Sequence, residues 1–340
     1  MISLLVVNFR SAALAANAVR SARDSVSSPL QVVVVDNSCD PREADALSGI
    51  ADTLIVSETN RGYAGGINAG RRACDGEVLV ISNPDVVFAP RSIDLLSEAV
   101  DGRTAVAGPA LFWDGAHQWH LPPGDLLTAP WKIDQILAGR SSEWRAQRDR
   151  RRFRQRVAFW SLDRTIHVRM LSGAVMAVRA TDFDDLGGFD ERFPLYFEET
   201  DFFRRVAERR KRIAYVPAAR CRHLFNQSAS QTREVAAARY AESEWKYLEK
   251  WNGPWLARTL KRFERNAVLP PAEPAAALPA VEPVVTEASP LATFETAAGY
   301  LGLAEDVPTD IRATLGGSEL YLRIVARNTG EVLATYKISP

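Results

Sequence analysis

The stretch that decides the fold is Glu77-Val78-Leu79-Val80-Ile81-Ser82-Asn83-Pro84-Asp85. It contains a short run of apolar residues and then turns polar around a proline. A short, continuous apolar run is typical of a strand in a parallel sheet that is covered on both faces. Ligands of such sheets bind beyond the carboxyl ends of the strands, so Asp85 is a candidate functional carboxylate.

Strand and helix patterns alternate on either side of this stretch. Apolar runs predict strands at residues 2–7, 32–35 and 53–56, and helical patterns occupy residues 12–22, 43–50, 67–73 and 93–100. Strands that alternate with helices indicate βαβ units. We therefore predict an α/β fold with a mostly parallel, Rossmann-like sheet flanked by helices, and Asp36 at a second strand end.

Composition and charge exclude several classes of protein. The chain has 340 residues, zero formal net charge and 25% charged residues, which indicates a globular protein that as a whole does not bind nucleic acid. Its three cysteines indicate neither a disulfide framework nor a zinc site. No apolar run is long enough to span a bilayer, and no signal-peptide pattern is visible, so a cytoplasmic location is expected.

Three segments are predicted along the chain. Residues 1–265 form the main domain with a helical C-terminal extension, residues 266–290 form a Pro/Ala-rich linker, and residues 291–340 form a small module containing β-structure. In that module, residues 319–326 and 331–338 predict a hairpin around Asn328-Thr329-Gly330. Two strands alone are marginally stable, so the tail needs further strands, the main domain or a partner. We expect truncation after Arg265 to leave the main domain active.

The segment Asn60-Arg61-Gly62-Tyr63-Ala64-Gly65-Gly66-Ile67-Asn68 is a glycine-rich turn that runs into a helix. Glycines let a backbone approach a ligand closely, and the N-terminus of a helix favours phosphate. The glycine spacing is not that of the dinucleotide fingerprint. Close packing of the helix against its neighbours explains the same pattern equally well.

Two acidic motifs are candidates for chemistry. Asn83-Pro84-Asp85 carries one acid where enzymes that hold a metal on a diphosphate often carry two; the alternative is a turn or a helix cap. Glu198-Glu199-Thr200-Asp201 opens an amphipathic helix, where adjacent acids raise the pKa of one another if buried; the alternative is a solvated helix start. The preceding glycines and aromatic residues at 187–197 favour a walled pocket.

Taken in order, the motifs of this chain resemble those of family 2 glycosyltransferases with the GT-A fold, close to the bacterial rhamnosyltransferase branch. The resemblance covers about residues 1–250. It rests on Val6-Val7-Asn8-Phe9, Val35-Asp36-Asn37-Ser38, the glycine-rich turn, Asn83-Pro84-Asp85, Leu171-Ser172-Gly173-Ala174, Gly188-Phe189-Asp190-Glu191, Tyr196-Phe197-Glu198-Glu199-Thr200-Asp201 and His223.

The resemblance implies a nucleotide pocket and a metal site. Asp36 would bind the uracil or thymine base or its ribose, with Asn8 and Arg10 in the same pocket. Asp85 would be the ligand of Mg²⁺ or Mn²⁺, with an asparagine in place of the first acid of the family's Asp-x-Asp motif, and His223 would complete the coordination. The further donor-binding positions are Asn60, Gly62, Tyr63, Gly65, Asn68, Asn83 and Gly173.

The resemblance also implies the catalytic base. Glu199 matches that base, which is usually an aspartate in this branch. Glu198, Asp201 and Trp131 would support the acceptor, and Asp201 is expected to orient Arg204 or the acceptor itself. One base and a metal-assisted leaving group suffice for an inverting transfer, so no second acid is required.

The implied reaction is inverting transfer of a sugar from a nucleotide donor, L-rhamnose from dTDP-rhamnose first of all, to a hydroxyl of a surface glycan or lipid-linked glycan. Transfer of galactose or glucose from a UDP or GDP donor is the alternative of the same class. A sugar-nucleotide pyrophosphorylase would open with a Gly-x-Gly loop, which is absent here. A binding protein without activity would tolerate the loss of Glu199. A homo-oligomer is compatible with all of these.

Seven arginines crowd residues 145–156, near Trp131, Trp144 and Trp160. Residues 142–159 predict a helix, in the region where the family varies its acceptor site. A basic stripe with aromatic residues suits an anionic, diphosphate-linked lipid acceptor and peripheral contact with the inner membrane. A solvated basic helix paired with nearby acids is the equally weighted alternative.

Overall fold

The computed structural model describes residues 1–224, 233–264, 283–315 and 319–338. The helices are α1 (Ala12–Asp24), α2 (Pro41–Leu47), α3 (Gly62–Arg71), α4 (Ser92–Glu98), α5 (Ala129–Arg140), α6 (Ser142–Trp160), α7 (Ala180–Asp185), α8 (Glu198–Glu208), α9 (Arg233–Asn252), α10 (Pro254–Glu264) and α11 (Thr309–Thr314). No described helix is long and apolar enough to cross a bilayer.

The strands are β1 (Ile2–Asn8), β2 (Leu30–Asp36), β3 (Thr53–Val56), β4 (Val78–Ser82), β5 (Val86–Phe88), β6 (Thr104–Phe112), β7 (Trp119–His120), β8 (Ile166–Val168), β9 (Val175–Arg179), β10 (Arg212–His223), β11 (Val284–Ser289), β12 (Ala298–Tyr300), β13 (Leu320–Ala326) and β14 (Val332–Ile338). The chain divides into two compact units. Unit 1 comprises residues 1–110, 124–126 and 163–250, and unit 2 comprises residues 111–123, 127–162 and 251–340.

Unit 1 is built on a sheet in the order β6-β9-β4-β1-β2-β3. The pairs β1–β2, β1–β4 and β2–β3 are parallel, whereas β4–β9 and β6–β9 are antiparallel. Every residue of β1 is buried, as expected for a strand covered on both faces. The predicted α/β fold, with a large sheet flanked by helices, is therefore confirmed.

Glycines let α3 lie close to this sheet. A Cβ on Gly66 would lie 3.0 Å from Val7 Cγ1, and one on Gly70 would lie 2.3 Å from Leu5 Cδ1. Side chains at these positions would push the helix away from β1 and β2. In the second half of the glycine-rich segment, close helix packing is thus the role of the glycines.

The carboxyl ends of the parallel strands meet at one edge of the sheet. Asn8 pairs in register with Asp36, and Val6 pairs with Ser82 one residue before Asn83. On the far side of Asp85, β10 pairs antiparallel with β5, and His223 lies opposite Val86. β10 runs from Arg212 to His223, so the histidine is the last residue of this strand.

Unit 2 contains the predicted hairpin, which is confirmed. β13 and β14 pair antiparallel, and Gly330 takes a positive φ of 72° in the turn between them. β11 joins β13, β12 joins β11, and β7 joins β12. Against these strands packs α6, because Phe153, Val157 and Trp160 share a buried cluster with Val285 and Val325.

These contacts correct the segment boundaries within the tail. β11 occupies Val284–Ser289, which the sequence assigned to the linker. Residues 266–282 of that predicted linker lie outside the described residues. Residues 111–123 and 127–162 complete the compact unit that contains the tail, so the units do not follow the predicted division at residue 265. Truncation after Arg265 would expose Phe153 and Trp160, so the shortened chain is expected to aggregate.

The predicted arginine-rich helix is α6, and most of its charges are used inside unit 2. Arg148 binds Asp134 and Glu295, and Arg156 binds Glu287 at 2.6 Å. Four others donate to an acid or a carbonyl: Arg145 to Ala138, Arg151 to Asp134, Arg152 to Glu295 and Arg154 to Thr329. The contacts favour the second of the two interpretations of this segment, a basic helix paired with nearby groups.

Glu287 is the buried centre of one such network. Its carboxylate is fully buried between Arg156 and Arg323, each at 2.6 Å. Burial alone would raise the pKa of Glu287, but the two guanidinium groups lower it overall. Removing the carboxylate would leave two cations buried without their counter-charge.

We predict that Glu287→Ala lowers the free energy of unfolding by about 3–5 kcal/mol, the usual cost of removing one partner from a buried ion pair. Denaturant unfolding of the full chain measures this. The matched control Glu305→Ala removes an exposed carboxylate of the same unit and should change it by less than about 0.5 kcal/mol. Equal effects of the two substitutions would contradict the assignment of a structural ion network.

Candidate active site

The ends of β1 and β2 are locked together by Asn8 and Asp36. The side-chain amide of Asn8 donates to Asp36 at 2.9 Å and to Glu43 at 3.0 Å, and its oxygen accepts from Ser11. Asp36 also accepts from the backbone and hydroxyl of Ser38. Both residues are fully buried. Asn8 therefore fixes the carboxyl edge of the sheet, and its proposed contact with a nucleotide stays a prediction.

Arg10 and Asn60 lie at the rim of the same edge. Arg10 is exposed, takes a positive φ of 55°, and places its guanidinium 5.5 Å from the ring of Phe9. Asn60 is exposed, and its side-chain oxygen accepts from the backbone of Gly62 at 2.8 Å, which shapes the turn into α3. The side chain of Asn60 thus stabilises the turn, whereas that of Arg10 lies beside Phe9.

Gly62 and Tyr63 bring α3 against the loop that precedes α8. The backbone of Tyr63 donates to the carbonyl of Pro194 at 2.6 Å, and a Cβ on Gly62 would lie 2.5 Å from that carbonyl. Gly62 also has a positive φ of 71°. Gly65 faces Glu191 of the same loop, since a Cβ there would lie 3.7 Å from its carboxylate. Glycine is thus required at position 62 by both conformation and space.

Asn68 ties α3 to the same loop. Its amide donates to the carbonyl of Phe189 at 2.8 Å and to Glu191 at 2.9 Å, and its oxygen accepts from the backbone of Phe189 at 2.9 Å. The side chain thus holds the loop that leads into the acidic motif. This positioning role follows from the geometry, whereas the predicted contact with the donor remains untested.

Asp85 and His223 come together as predicted. His223 Nε2 lies 3.3 Å from Asp85 Oδ1, and both side chains are almost fully buried. The antiparallel pairing of β5 with β10 produces this approach, and the backbone of Leu224 donates to the carbonyl of Asp85 at 3.0 Å. Nearby, the backbone of Asn83 donates to the carbonyl of Ala174 at 2.8 Å, which joins the end of β4 to the 171–174 motif.

This pair has the chemistry of an incomplete metal site. A carboxylate oxygen and an imidazole nitrogen are ligands that Mn²⁺ accepts, and Mg²⁺ accepts the carboxylate. Among the described residues, no group of three or more His, Cys, Asp or Glu side chains is placed to hold a metal. The residues therefore fit a divalent ion that takes its remaining ligands from a diphosphate and from water.

Glu198 and Glu199 open α8 as adjacent carboxylates with different exposure. Glu198 is 4% exposed, whereas Glu199 is half-buried. Burial, together with the charge of Glu199, raises the pKa of Glu198 well above its ordinary value. Burial also raises the pKa of Glu199, against the opposing effect of nearby backbone amides. Glu199 is therefore the more accessible of the two acids, and a raised pKa makes its carboxylate a stronger base.

Gly173 packs directly on Glu199. A Cβ at position 173 would lie 2.7 Å from Glu199 Cγ and 3.1 Å from its carboxylate carbon. These distances are too short for any side chain, so glycine is required for Glu199 to take its observed position. The sequence placed Gly173 among the donor-binding residues, and the structure shows in addition that it contacts Glu199.

Tyr63 completes the cluster. Burial, and then the charges of Glu198, Glu199 and Asp85, raise the pKa of Tyr63 well above its ordinary value. Its hydroxyl is buried and has no hydrogen-bond partner among the described residues. A buried hydroxyl without a partner is unusual in a protein, which makes that of Tyr63 a candidate contact for a bound ligand.

The backbone that enters α8 is strained. Tyr196 and Phe197 both take positive φ values, 66° and 71°, which cost about 1–3 kcal/mol each in residues other than glycine. Contacts with α9 compensate: Phe197 lies 5.5 Å from the ring of Tyr247 and 5.1 Å from that of Tyr240. Strain of this kind is common where a side chain must be held in one direction.

The sequence reasoning missed the contribution of α9. Ser243 donates to the carbonyl of Leu195 at 2.9 Å, Tyr247 packs on Phe197, and Lys250 binds both Asp190 and Asp201. The spacing of 243, 247 and 250 places these residues on one helical face. This periodicity is the sequence feature that could have indicated the contribution of α9, although an ordinary buried helix face shows the same spacing.

Asp201 adds a structural role to the expected site. Its carboxylate is fully buried and binds Arg205 at 2.8 Å and Lys250 at 2.5 Å. These two ion pairs were not expected from the sequence, and the predicted orientation of Arg204 or the acceptor by Asp201 stays a prediction. Arg205 also donates to the carbonyls of Leu186 and Gly188, so Asp201 braces the loop before α8.

Trp131 lies in unit 2. It is half-buried, and the guanidinium groups of Arg148 and Arg152 lie 5.2 Å and 5.9 Å from its ring centre. These cation–π contacts give Trp131 a packing role within unit 2. Its predicted support of the acceptor stays a prediction.

Comparison with known proteins places the chain in a family. The model of the family described as "Glycosyltransferase like family 2" matches residues 1–241. The chain therefore belongs to glycosyltransferase family 2, and it is a glycosyltransferase. The resemblance drawn from the motifs is confirmed.

Two curated relatives are similar over most of their length. The N-acetylglucosaminyl-diphospho-decaprenol L-rhamnosyltransferase of Mycobacterium tuberculosis (strain CDC 1551 / Oshkosh) is 24% identical over 267 residues, which cover 71% of this chain and 81% of the relative. The same enzyme of strain ATCC 25618 / H37Rv matches with the same values.

Two solved structures are similar to this chain, and the first, with a TM-score above 0.5, shows the same fold. GalNAc-T7 with UDP, GalNAc and Mn²⁺ has a TM-score of 0.53 at 13% identity, covering 78% of this chain and 50% of that one. A mannosyltransferase from Pyrobaculum calidifontis in complex with GDP-Man and Mn²⁺ has a TM-score of 0.47 at 15% identity, covering 77% of this chain and 73% of that one. The GT-A fold predicted from the motifs is confirmed.

We predict that Gly173→Ala lowers kcat by about a hundredfold, because a displacement of the order of 1 Å at the base is that costly. Affinity for the nucleotide donor should change little, since the added methyl group meets Glu199. Steady-state kinetics and calorimetric donor binding separate the two effects. Gly102→Ala is the matched control, because a Cβ there meets nothing closer than 3.6 Å. Weakened donor binding with unchanged kcat would contradict this prediction and indicate that Gly173 contacts the donor.

Proposed function

We propose that this protein is an inverting glycosyltransferase that moves L-rhamnose from dTDP-rhamnose to a hydroxyl of a lipid-linked or surface glycan. The observation that carries the transfer chemistry is the half-buried Glu199, seated on Gly173 with a raised pKa. The relatives of Mycobacterium tuberculosis, whose name specifies L-rhamnosyl transfer to a diphospho-decaprenol acceptor, support the choice of sugar and acceptor.

The donor would bind across the carboxyl edge of the sheet. Asp36 lies at the end of β2, with Arg10 at the exposed rim, where a base and ribose are expected in this fold class. Asp85 and His223 would hold a divalent ion on the diphosphate, and such an ion neutralises the charge of the leaving group when bound. Tyr63 offers a buried hydroxyl on the side of the carboxylates.

Glu199 acts on the acceptor. Its carboxylate removes the proton of the acceptor hydroxyl as the oxygen attacks the anomeric carbon from the face opposite the diphosphate. The C–O bond to the diphosphate breaks, the new glycosidic bond forms, and the configuration inverts. Glu198 is more deeply buried than Glu199, and burial together with the charge of Glu199 raises the pKa of Glu198, so Glu199 is the acid assigned to the acceptor.

The test is release of nucleoside diphosphate by the purified full-length chain from a panel of nucleotide sugars. We expect dTDP-rhamnose to be hydrolysed faster than UDP-glucose, UDP-galactose or a GDP-sugar, and hydrolysis to stop on removal of divalent metal. Asp85→Asn should abolish the response to metal. Asp24→Asn, an exposed acid on α1, is the matched control and should leave it unchanged.

Each other outcome has a definite meaning. Preference for a UDP- or GDP-hexose would overturn the donor assignment and leave the transferase in place. Formation of pyrophosphate would indicate a pyrophosphorylase. Full activity of Asp85→Asn in the presence of a chelator would contradict the assignment of a metal site at Asp85.

A further inference from the structure

Helix α10 of unit 2 presents an outer face that nothing in the proposed reaction uses. This face, here called the α10 face, consists of Trp255, Arg258 and Arg262. Their spacing of three and four residues places them on one side of the helix, and Ala257 and Leu260 are the buried residues of α10. Trp255 is 77% exposed, which is more than any other large hydrophobic side chain in the described part of the chain.

Apolar side chains continue beside this face. Phe263 is 49% exposed, and helix α5, which packs on α10, exposes Ile133 and Leu137. Arg140 joins the two helices, because its guanidinium lies 5.1 Å from the ring of Phe263 and donates to the carbonyl of that residue. Exposed aromatic and aliphatic groups in this number mark an interaction surface.

The charge of the α10 face is positive and unbalanced. Arg258 and Arg262 are exposed and form no ion pair with any other residue that the structure describes. The acid of this helix, Glu264, is turned to the buried Lys132 of α5 at 2.6 Å. A partner of this face therefore carries negative charge beside apolar material.

We propose that the α10 face docks on a lipid surface with anionic headgroups. Tryptophan is the residue that settles at the boundary between headgroups and acyl chains, and arginines beside it reach phosphate groups while their stems stay in apolar surroundings. We assign the membrane contact to this surface and not to the arginine-rich α6. Most arginines of α6 bind Asp134, Glu287, Glu295 or backbone carbonyls within unit 2.

The test is co-sedimentation of the full-length chain with vesicles of phosphatidylcholine alone or mixed with phosphatidylglycerol. We expect binding only to the mixed vesicles, and weaker binding at high salt. Trp255→Ala, and the double variant Arg258→Glu with Arg262→Glu, should each weaken binding by at least about tenfold. The readout requires neither donor nor acceptor, so its outcome is independent of the proposed reaction.

The matched controls keep the result specific. Arg150→Glu with Arg154→Glu makes the same change of charge on α6, and Tyr336→Ala removes another exposed aromatic ring of unit 2; both should bind vesicles as the parent does. Loss of binding in the α6 variant with retention in the α10 variant would overturn the proposal. So would self-association of the parent chain that the α10 variants abolish, without vesicle binding, because the face would then bind a second copy.

Discussion

The structure of the site depends on the contact between Gly173 and Glu199. The absence of a side chain at 173 lets the carboxylate of Glu199 sit at the first turn of α8 beside a second, more deeply buried carboxylate. Two adjacent acids cannot both ionise easily in a poorly solvated place, and their pKa values rise. Two features of the surrounding structure hold the adjacent acids in place. They are the backbone with positive φ angles at Tyr196 and Phe197, and the ion pairs from Asp201 to Arg205 and Lys250.

The parallel sheet supplies the second half of the site. Because β1, β2 and β4 run in the same direction, residues far apart in sequence meet at one edge, and Asp36 and the Asn83–Asp85 motif follow there. This much could be predicted, since short apolar runs followed by polar residues carry the information locally. The place of His223 could not be read from its surroundings. β10 contains Pro217 and several arginines, and it extends to His223 only through pairing with β5.

Long-range packing decided what the sequence could not show. The sequence could not decide between a membrane-facing basic helix and one paired with acids, because the acids that bury Arg148 and Arg156 come from elsewhere in unit 2, among them Glu295 and Glu287. The same applies to the C-terminal hairpin. Its two strands were predictable from alternation, but their partners β11, β12 and α6 were not, since β11 lies in a segment with the composition of a linker. For Asn68 and Gly173, likewise, the contacts with Phe189, Glu191 and Glu199 come from distant parts of the chain and could not be predicted, while their donor-binding roles stay predictions.

The central claim, that Glu199 is the base, is tested most directly by comparing kcat of Glu199→Gln and Glu198→Gln with the preferred donor and acceptor. Glutamine keeps the size and the hydrogen bonding of glutamate and removes its basicity. We expect Glu199→Gln to retain donor affinity and to lose on the order of a hundredfold or more in kcat, the usual contribution of a general base. Glu198→Gln should retain most of its turnover. Normal turnover by Glu199→Gln together with an inactive Glu198→Gln would contradict the account and shift the base by one residue.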